Sequence, residues 1–294
     1  MAARLLLDLP REFDYRLNLE YLKRSPRELL HTIDDDSVLK VVKHGDEKML
    51  IRIGASEKKL LIDFVNGAPT ATGKVFVKNF VKEWFDLETD LSEFYKLVFS
   101  DKLLQPLVKR FYGYRIIGQP DLFESIVWAV IGQQINLPFA YTLKSRFVEH
   151  FGERLHWNNQ SYYLFPTPQV VAGLTDAHLL PLQFSRQKSK YTTLIAEAFA
   201  SNVLSKERLR TLSFEEAKNE LMKIKGIGNW TANYALMKTF RYPNAFPLED
   251  AGVHNAIKNL KKMDRKPTLE EVKRVFKKYR GWEAYATLYL WKSL

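Results

Sequence analysis

The 294-residue chain has no cysteine, which removes disulfides, thiolate zinc sites, cysteine nucleophiles and cysteine-bound iron–sulfur clusters from consideration. Its six histidines never fall into an HExxH-like spacing, so neither a metal-dependent reaction nor any cofactor is expected. No apolar run approaches the ~20 residues of a membrane span, and the run in "MAARLLLDLPREFDY" is too short for a signal peptide. A cytoplasmic location is therefore expected, nucleoid-associated in a bacterium, with no membrane contact. Internal repeats and low-complexity tracts are missing too.

What is present is basic and apolar in ample measure. Lys and Arg number 45 against 34 Asp and Glu, a formal charge of +11, which favours a polyanionic partner without naming it. Hydrophobic residues make up 46% of the chain, enough for the cores of two modest domains. The texture changes once. Up to about residue 90 there are short strand-like runs: "RLLLDL", then "SVLKVV" and "KMLIRI" joined through His44-Gly45-Asp46, then "KLLIDF". Beyond it, "LFESIVWAVIGQ", "AYTLKSRFVEHF", "SKYTTLIAEAFA" and "LEEVKRVFKKY" repeat their apolar residues at three- and four-residue intervals. The expected fold is α+β: an antiparallel sheet domain over residues 1–90, then an all-helical domain over 91–294.

The most informative stretch is "LMKIKGIGNWTANYALMKTF". Ser213 and Glu216 have capping-box spacing and predict a helix from there to about Ile224. Gly226 can end it at positive φ, and Gly228 allows close approach of a second backbone as the next helix starts at Asn229. Free N–H groups at that start, beside Lys223 and Lys225, suit a phosphate. Trp230 and Tyr234 lie four apart and share a face. Downstream, "NAFPLEDAGVHNAIKNL" puts Asp250 at the start of an amphipathic helix, where a carboxylate commonly caps.

Taken in order, Lys-Gly-Ile-Gly-Asn-Trp-Thr-Ala, a helix and Pro-Leu-Glu-Asp resemble the helix-hairpin-helix DNA glycosylase superfamily. "FDYRLNLEYL", "WFDLE", "ERLHW…FPTPQ" and "GWEAYATLYLW" extend the resemblance over nearly the whole chain and point to the alkylated-base branch, 3-methyladenine DNA glycosylase II. That family implies a cleft between two helical subdomains, double-stranded DNA containing damaged bases as partner and no obligate protein partner. Asp250 matches its catalytic aspartate. Trp230 occupies the position at which strand-cleaving relatives carry a Schiff-base lysine, so no strand cleavage is expected. Trp230, Tyr234 and Trp291, with Tyr21 from the first domain, match positions lining the base pocket, and their π faces would attract a cationic base.

Flipping a base leaves a hole to be filled. The family inserts its plug where "GQQINLP" lies here, which leaves Gln133, Gln134 and Ile135 as alternatives. For DNA contact the hairpin offers Lys225, Gly226, Gly228 and Thr231, and "SRQKSK" adds Arg186 and Lys188 beside Lys190. The resemblance also implies a structural monovalent cation on the backbone carbonyls of Met222, Ile224 and Gly226. His254, four residues after Asp250, would touch phosphate or tune the carboxylate. Two rivals stay open at this point: a non-catalytic hairpin module in which Asp250 only caps a helix, and a glycosylase for oxidised or deaminated bases. A nucleotide-binding glycine loop fails, because the third glycine and the preceding strand are missing.

Overall fold

The computed structural model describes residues 3–294. Five strands, β1 (Arg4–Asp8), β2 (Thr32–Asp34), β3 (Ser37–His44), β4 (Glu47–Ala55) and β5 (Lys59–Phe64), form one sheet in the order β1-β5-β4-β3-β2. Every pairing is antiparallel, with Val41 opposite Leu50 and His44 opposite Glu47 closing the β3–β4 hairpin. The four runs expected as strands are strands.

Period-two alternation gives this sheet two apolar faces. Val38, Val42, Met49, Ile51, Ile53 and Ile62 point to one side, where they meet Leu19 and Leu22 of the Tyr15–Leu22 helix and Val77, Val81 and Trp84 of the Ala71–Trp84 helix. Leu39, Val41 and Leu50 point to the other side. Their cover comes from far along the chain: β6 (Arg154–Trp157) and β7 (Gln160–Tyr163) form a small hairpin whose Tyr162, Leu155 and Trp157 pack on them. The expected all-helical remainder is thus interrupted by a two-stranded hairpin. Four-residue strands with polar and aromatic alternation carry too weak a periodic signal to stand out beside long helices.

From Ser92 onward, β6 and β7 aside, the described chain is helical, and its buried residues form one continuous core from Leu91 to Leu290. Four helices position the site: Leu122–Gly132, the hairpin pair Phe214–Met222 and Asn229–Phe240, and the last helix Glu283–Lys292. Among the described residues no helix is long and apolar enough to cross a membrane.

Candidate active site and DNA-binding hairpin

The hairpin begins with the expected capping box. Ser213 Oγ accepts from Glu216 N–H and the Glu216 carboxylate accepts from Ser213 N–H. The first helix ends at Met222, two residues before the expected Ile224. Gly226 has φ +102°, and a Cβ there would lie 2.5 Å from the Tyr191 ring, so both backbone and packing demand glycine. Gly228 differs. It caps the second helix without any side-chain bond, and a Cβ placed on it meets nothing within 4 Å. The space beside its Cα is therefore open. Lys225 stands exposed beside it.

The residues singled out for DNA contact separate into two groups. Gln133 turns inward: its Nε2 donates to Gly226 O (3.2 Å) and to Thr231 Oγ1 (3.0 Å), tying the end of the Leu122–Gly132 helix to the hairpin. Thr231 is buried in that contact. Lys188 also turns inward, its ammonium bonded to the carbonyls of Val130 (3.1 Å) and Gln133 (2.6 Å), and burial pulls it down to about 8. Three readings need correction here. Gln133, Thr231 and Lys188 hold the loop and hairpin together, since their polar atoms are already engaged by the protein. Arg186, by contrast, is exposed. At the loop apex Gln134 is exposed with φ +57°, a left-handed conformation uncommon for a residue other than glycine. Ile135 is half-buried against the core.

Asp250 caps the Ala251–Leu260 helix, its Oδ1 accepting from Val253 N–H (2.9 Å). The same oxygen accepts from Trp291 Nε1 (2.7 Å), and Oδ2 accepts from Trp230 Nε1 (3.0 Å). Two indoles, one from the hairpin and one from the last helix, therefore converge on one carboxylate. Among the described residues no Lys or Arg lies within ion-pair distance of it. The Tyr234 ring stacks on Trp230 at 5.3 Å between centroids and lies 6.4 Å from Trp291. Its hydroxyl accepts from Trp128 Nε1 (3.0 Å).

Several supports of this arrangement left no signal in the sequence. Gly252 is one, because a Cβ there would sit 2.9 Å from Asp250 Oδ1 and 3.0 Å from the Trp291 ring. Asn233 is another: its amide donates to Asn229 O (2.9 Å) while its Oδ1 accepts from Phe246 N–H (2.9 Å). Asn229 in turn donates to the Glu249 carboxylate (2.9 and 3.1 Å), so the loop carrying Asp250 is pinned to the hairpin helix.

Tyr21 needs a correction of a different kind. It reaches the helical body as expected, but its ring is already taken, with the Arg24 guanidinium 3.9 Å from its centroid and the Lys238 ammonium 4.7 Å away. Lys238 also donates to the Tyr21 hydroxyl (3.1 Å) and to Ile117 O. A π face covered by two cations has none left for a cationic base. His254 sits between two carbonyls, Nδ1 toward Pro267 O and Nε2 toward Leu248 O, each 3.0 Å. It braces the segment ahead of Asp250.

The carbonyls of Ile224 and Gly226 already accept, from Ile227 N–H and Gln133 Nε2. Each of these carbonyls keeps a second lone pair, so the two bonds leave acceptors for the monovalent cation that the resemblance implies. Such an ion would supply positive charge at the phosphate-binding turn. Among the described residues there is no cluster of His, Asp and Glu that suits a multivalent metal.

A glycine-turned helix hairpin, set beside an indole-bound carboxylate and an exposed loop tip, is the architecture of a protein that holds a nucleic acid backbone and works on what is attached to it. Residues 127–280 match the model of the HhH-GPD superfamily base excision DNA repair proteins, and residues 26–126 that of the 8-oxoguanine DNA glycosylase N-terminal domain. A DNA-3-methyladenine glycosylase of Bacillus subtilis is 41% identical over 293 residues, 99% of this chain and 97% of the relative. Among solved structures, a 3-methyladenine DNA-glycosylase from Archaeoglobus fulgidus superposes with a TM-score of 0.85 at 24% identity, covering 98% of this chain and 97% of that one. An 8-oxoguanine glycosylase/lyase of Clostridium acetobutylicum, bound to DNA, has the same fold, with a TM-score of 0.77 at 19% identity over 99% of this chain and 96% of that one. The chain belongs to the helix-hairpin-helix DNA glycosylase superfamily. It is a DNA-binding base excision repair glycosylase, a hydrolase of N-glycosyl bonds.

Proposed function

We propose that this glycosylase excises alkylated, cationic purines such as 3-methyladenine from duplex DNA by base flipping, and leaves the strand uncut. The observation that carries the reading is the Asp250 carboxylate, oriented by Trp230 and Trp291 together. As the glycosidic bond breaks, positive charge builds on the sugar, and a carboxylate fixed beside it stabilises that charge or orients the attacking water. Three N–H donors hold Asp250 in one orientation before the substrate arrives. The base would lie against Trp230, Tyr234 and Trp291. An N-alkylated purine carries its own positive charge and leaves as a neutral molecule, so the site needs no separate general acid.

Gly226, Gly228 and Lys225 would take the backbone phosphate. Gln134 is the residue we assign to the vacated stack, because it is the exposed one at the loop apex. In this division of labour the sheet unit over 1–90 buttresses the chemistry carried by 91–294. Strand cleavage is not expected, since Trp230 stands where lyases have their lysine, and the nearby Lys238 amine is engaged by Tyr21 and Ile117.

The test is release of bases from methylated genomic DNA, identified by mass spectrometry, with borohydride present in a parallel sample. Free 3-methyladenine or 7-methylguanine and no trapped protein–DNA adduct is the expected result. An adduct would overturn the single-activity reading. Release of 8-oxoguanine without alkylated bases would favour the oxidised-base alternative.

A further inference from the structure

The loop that carries Gln134 is tied down by one buried ammonium. Lys188 belongs to the first turn of the Arg186–Ala200 helix, where a cation gains nothing from its own helix dipole, and it reaches the last turn of the Leu122–Gly132 helix, whose terminal carbonyls favour one. There Nζ donates to Val130 O and Gln133 O, at 3.1 and 2.6 Å. The second bond governs the apex. Gln133 O shares a peptide plane with the Gln134 nitrogen, so holding that oxygen holds the plane about which φ of Gln134 turns. Gln134 stands at φ +57°, a conformation that persists in a residue other than glycine only where its surroundings impose it. The Gln133 side chain anchors the same stretch to the hairpin, through Gly226 O and Thr231 Oγ1.

We infer that Lys188 is a positioning residue for base flipping: its ammonium presets the Gln134 apex for insertion into the stack. The inference rests on the proposed assignment of Gln134 to the vacated stack. No carboxylate accompanies this charge among the described residues. Glu124 lies at the far end of the Leu122–Gly132 helix and faces Lys144, Asp176 accepts from the Ser189 hydroxyl, and His178 accepts from Thr175 N–H. Lys223 and Lys225 of the hairpin and Arg186 and Lys190 of its own helix are exposed, and the Tyr191 hydroxyl meets Gln187. The loop over 133–136 has no titratable side chain. Burial alone therefore acts on the amine and pulls it down to about 8. Below that pH the two carbonyls receive charge-assisted bonds; above it a neutral amine makes bonds about half as strong. The apex is held below about pH 8 and slackens above it.

The experiment follows flipping and release in single turnover from pH 6.5 to 9, on duplexes with 2-aminopurine beside a 7-methylguanine, since 2-aminopurine brightens as its neighbour unstacks. Sub-saturating protein makes the profile report the free enzyme. In the parent, flipping and release should fall together by about tenfold, the difference between a charged and a neutral donor, with a midpoint near pH 8. Lys188→Arg keeps its charge throughout and should stay flat. Lys188→Met should show the parent's alkaline values at every pH; should it fail to fold, the parent and arginine profiles still decide. A parent whose flipping does not change with pH, or a decline that survives in Lys188→Arg, would overturn the role of Lys188. Gln134→Ala tests the ground beneath it: flipping equal to the parent's would overturn the assignment of Gln134 to the stack, and the inference with it.

Discussion

Two carboxylates sit at opposite ends of the last helix and are built for opposite ends. Asp86 is sealed: Tyr285 and Thr89 donate to it, and Arg115, itself without solvent exposure, pairs with it at 3.6 Å. Burial pushes this carboxyl up despite its cation. Asp250, near Trp291 at the other end of the same helix, receives only neutral N–H donors and has no ion-pair partner among the described residues. The first arrangement neutralises charge and joins distant segments. The second orients a carboxylate with N–H donors and gives it no cation, which in the proposed function leaves it for a cationic transition state. Tyr285 and Trp291 belong to one helix, so the joint at Asp86 also sets where Trp291 can meet Asp250.

The largest effect that separates the two acids is on stability. Asp86→Ala strands the Arg115 guanidinium in the interior, a loss of about 3–5 kcal/mol in unfolding free energy. Urea denaturation measures it. Normal stability with lost base release would make Asp86 part of the chemistry and erase the contrast.

Asp250→Asn runs the comparison the other way. Asparagine caps helices about as well as aspartate, so the unfolding midpoint should match the parent. Base release should fall at least about a hundredfold, roughly 2.7 kcal/mol, while affinity for lesion DNA survives. A near-normal rate measured in single turnover would leave Asp250 as a helix cap and nothing more.

A third effect belongs to the structural side. His31 Nε2 donates to Leu22 O, and burial holds the ring down to about 4, while nearby Glu28, facing Lys144, is held at about 2. The folded protein thus binds fewer protons than the unfolded chain as pH falls from about 6.5 toward 4 for His31, and from about 4.5 toward 2 for Glu28. Stability is lost on acidification through those windows, the histidine acting first, with a contribution on the order of 2 kcal/mol. In His31→Gln the melting temperature should stay flat between pH 6.5 and 4.5, where the parent's declines. Identical pH profiles would exclude His31 as the source.

Local grammar was the legible part of this chain. The four β-rich runs, the Ser213/Glu216 box, the positive φ of Gly226 and the cap at Asp250 each depend on residues within a few positions of one another. What stayed hidden depends on separation. Lys188 sits in a run that looks like solvated surface, yet its ammonium finds carbonyls more than fifty positions away in Val130 and Gln133. Cations from a turn and from the Asn229–Phe240 helix lie over the Tyr21 ring, and β6 with β7 matters only because a sheet formed a hundred residues earlier needs a second cover. Even the site's central feature, two indoles on one carboxylate, spans 20 and 41 positions.

The smallest effect asks what Trp291 contributes, since its N–H serves Asp250 and, in the proposed function, its face serves the base. Trp291→Phe keeps an aromatic face and removes the donor to Oδ1; Trp291→Leu removes both. The first step disturbs the carboxylate that every substrate uses, so 3-methyladenine and hypoxanthine release should fall together, by about tenfold for one hydrogen bond to a charged group. The further step from phenylalanine to leucine removes only the π face. It should cost the cationic base a further five- to thirtyfold, about 1–2 kcal/mol for a desolvated cation–π contact, and leave the neutral base nearly unchanged. If both steps reduce both bases equally, Trp291 acts through Asp250 alone. Selection of charged bases would then fall to Trp230 and Tyr234, whose rings are already stacked on each other and expose less of their faces.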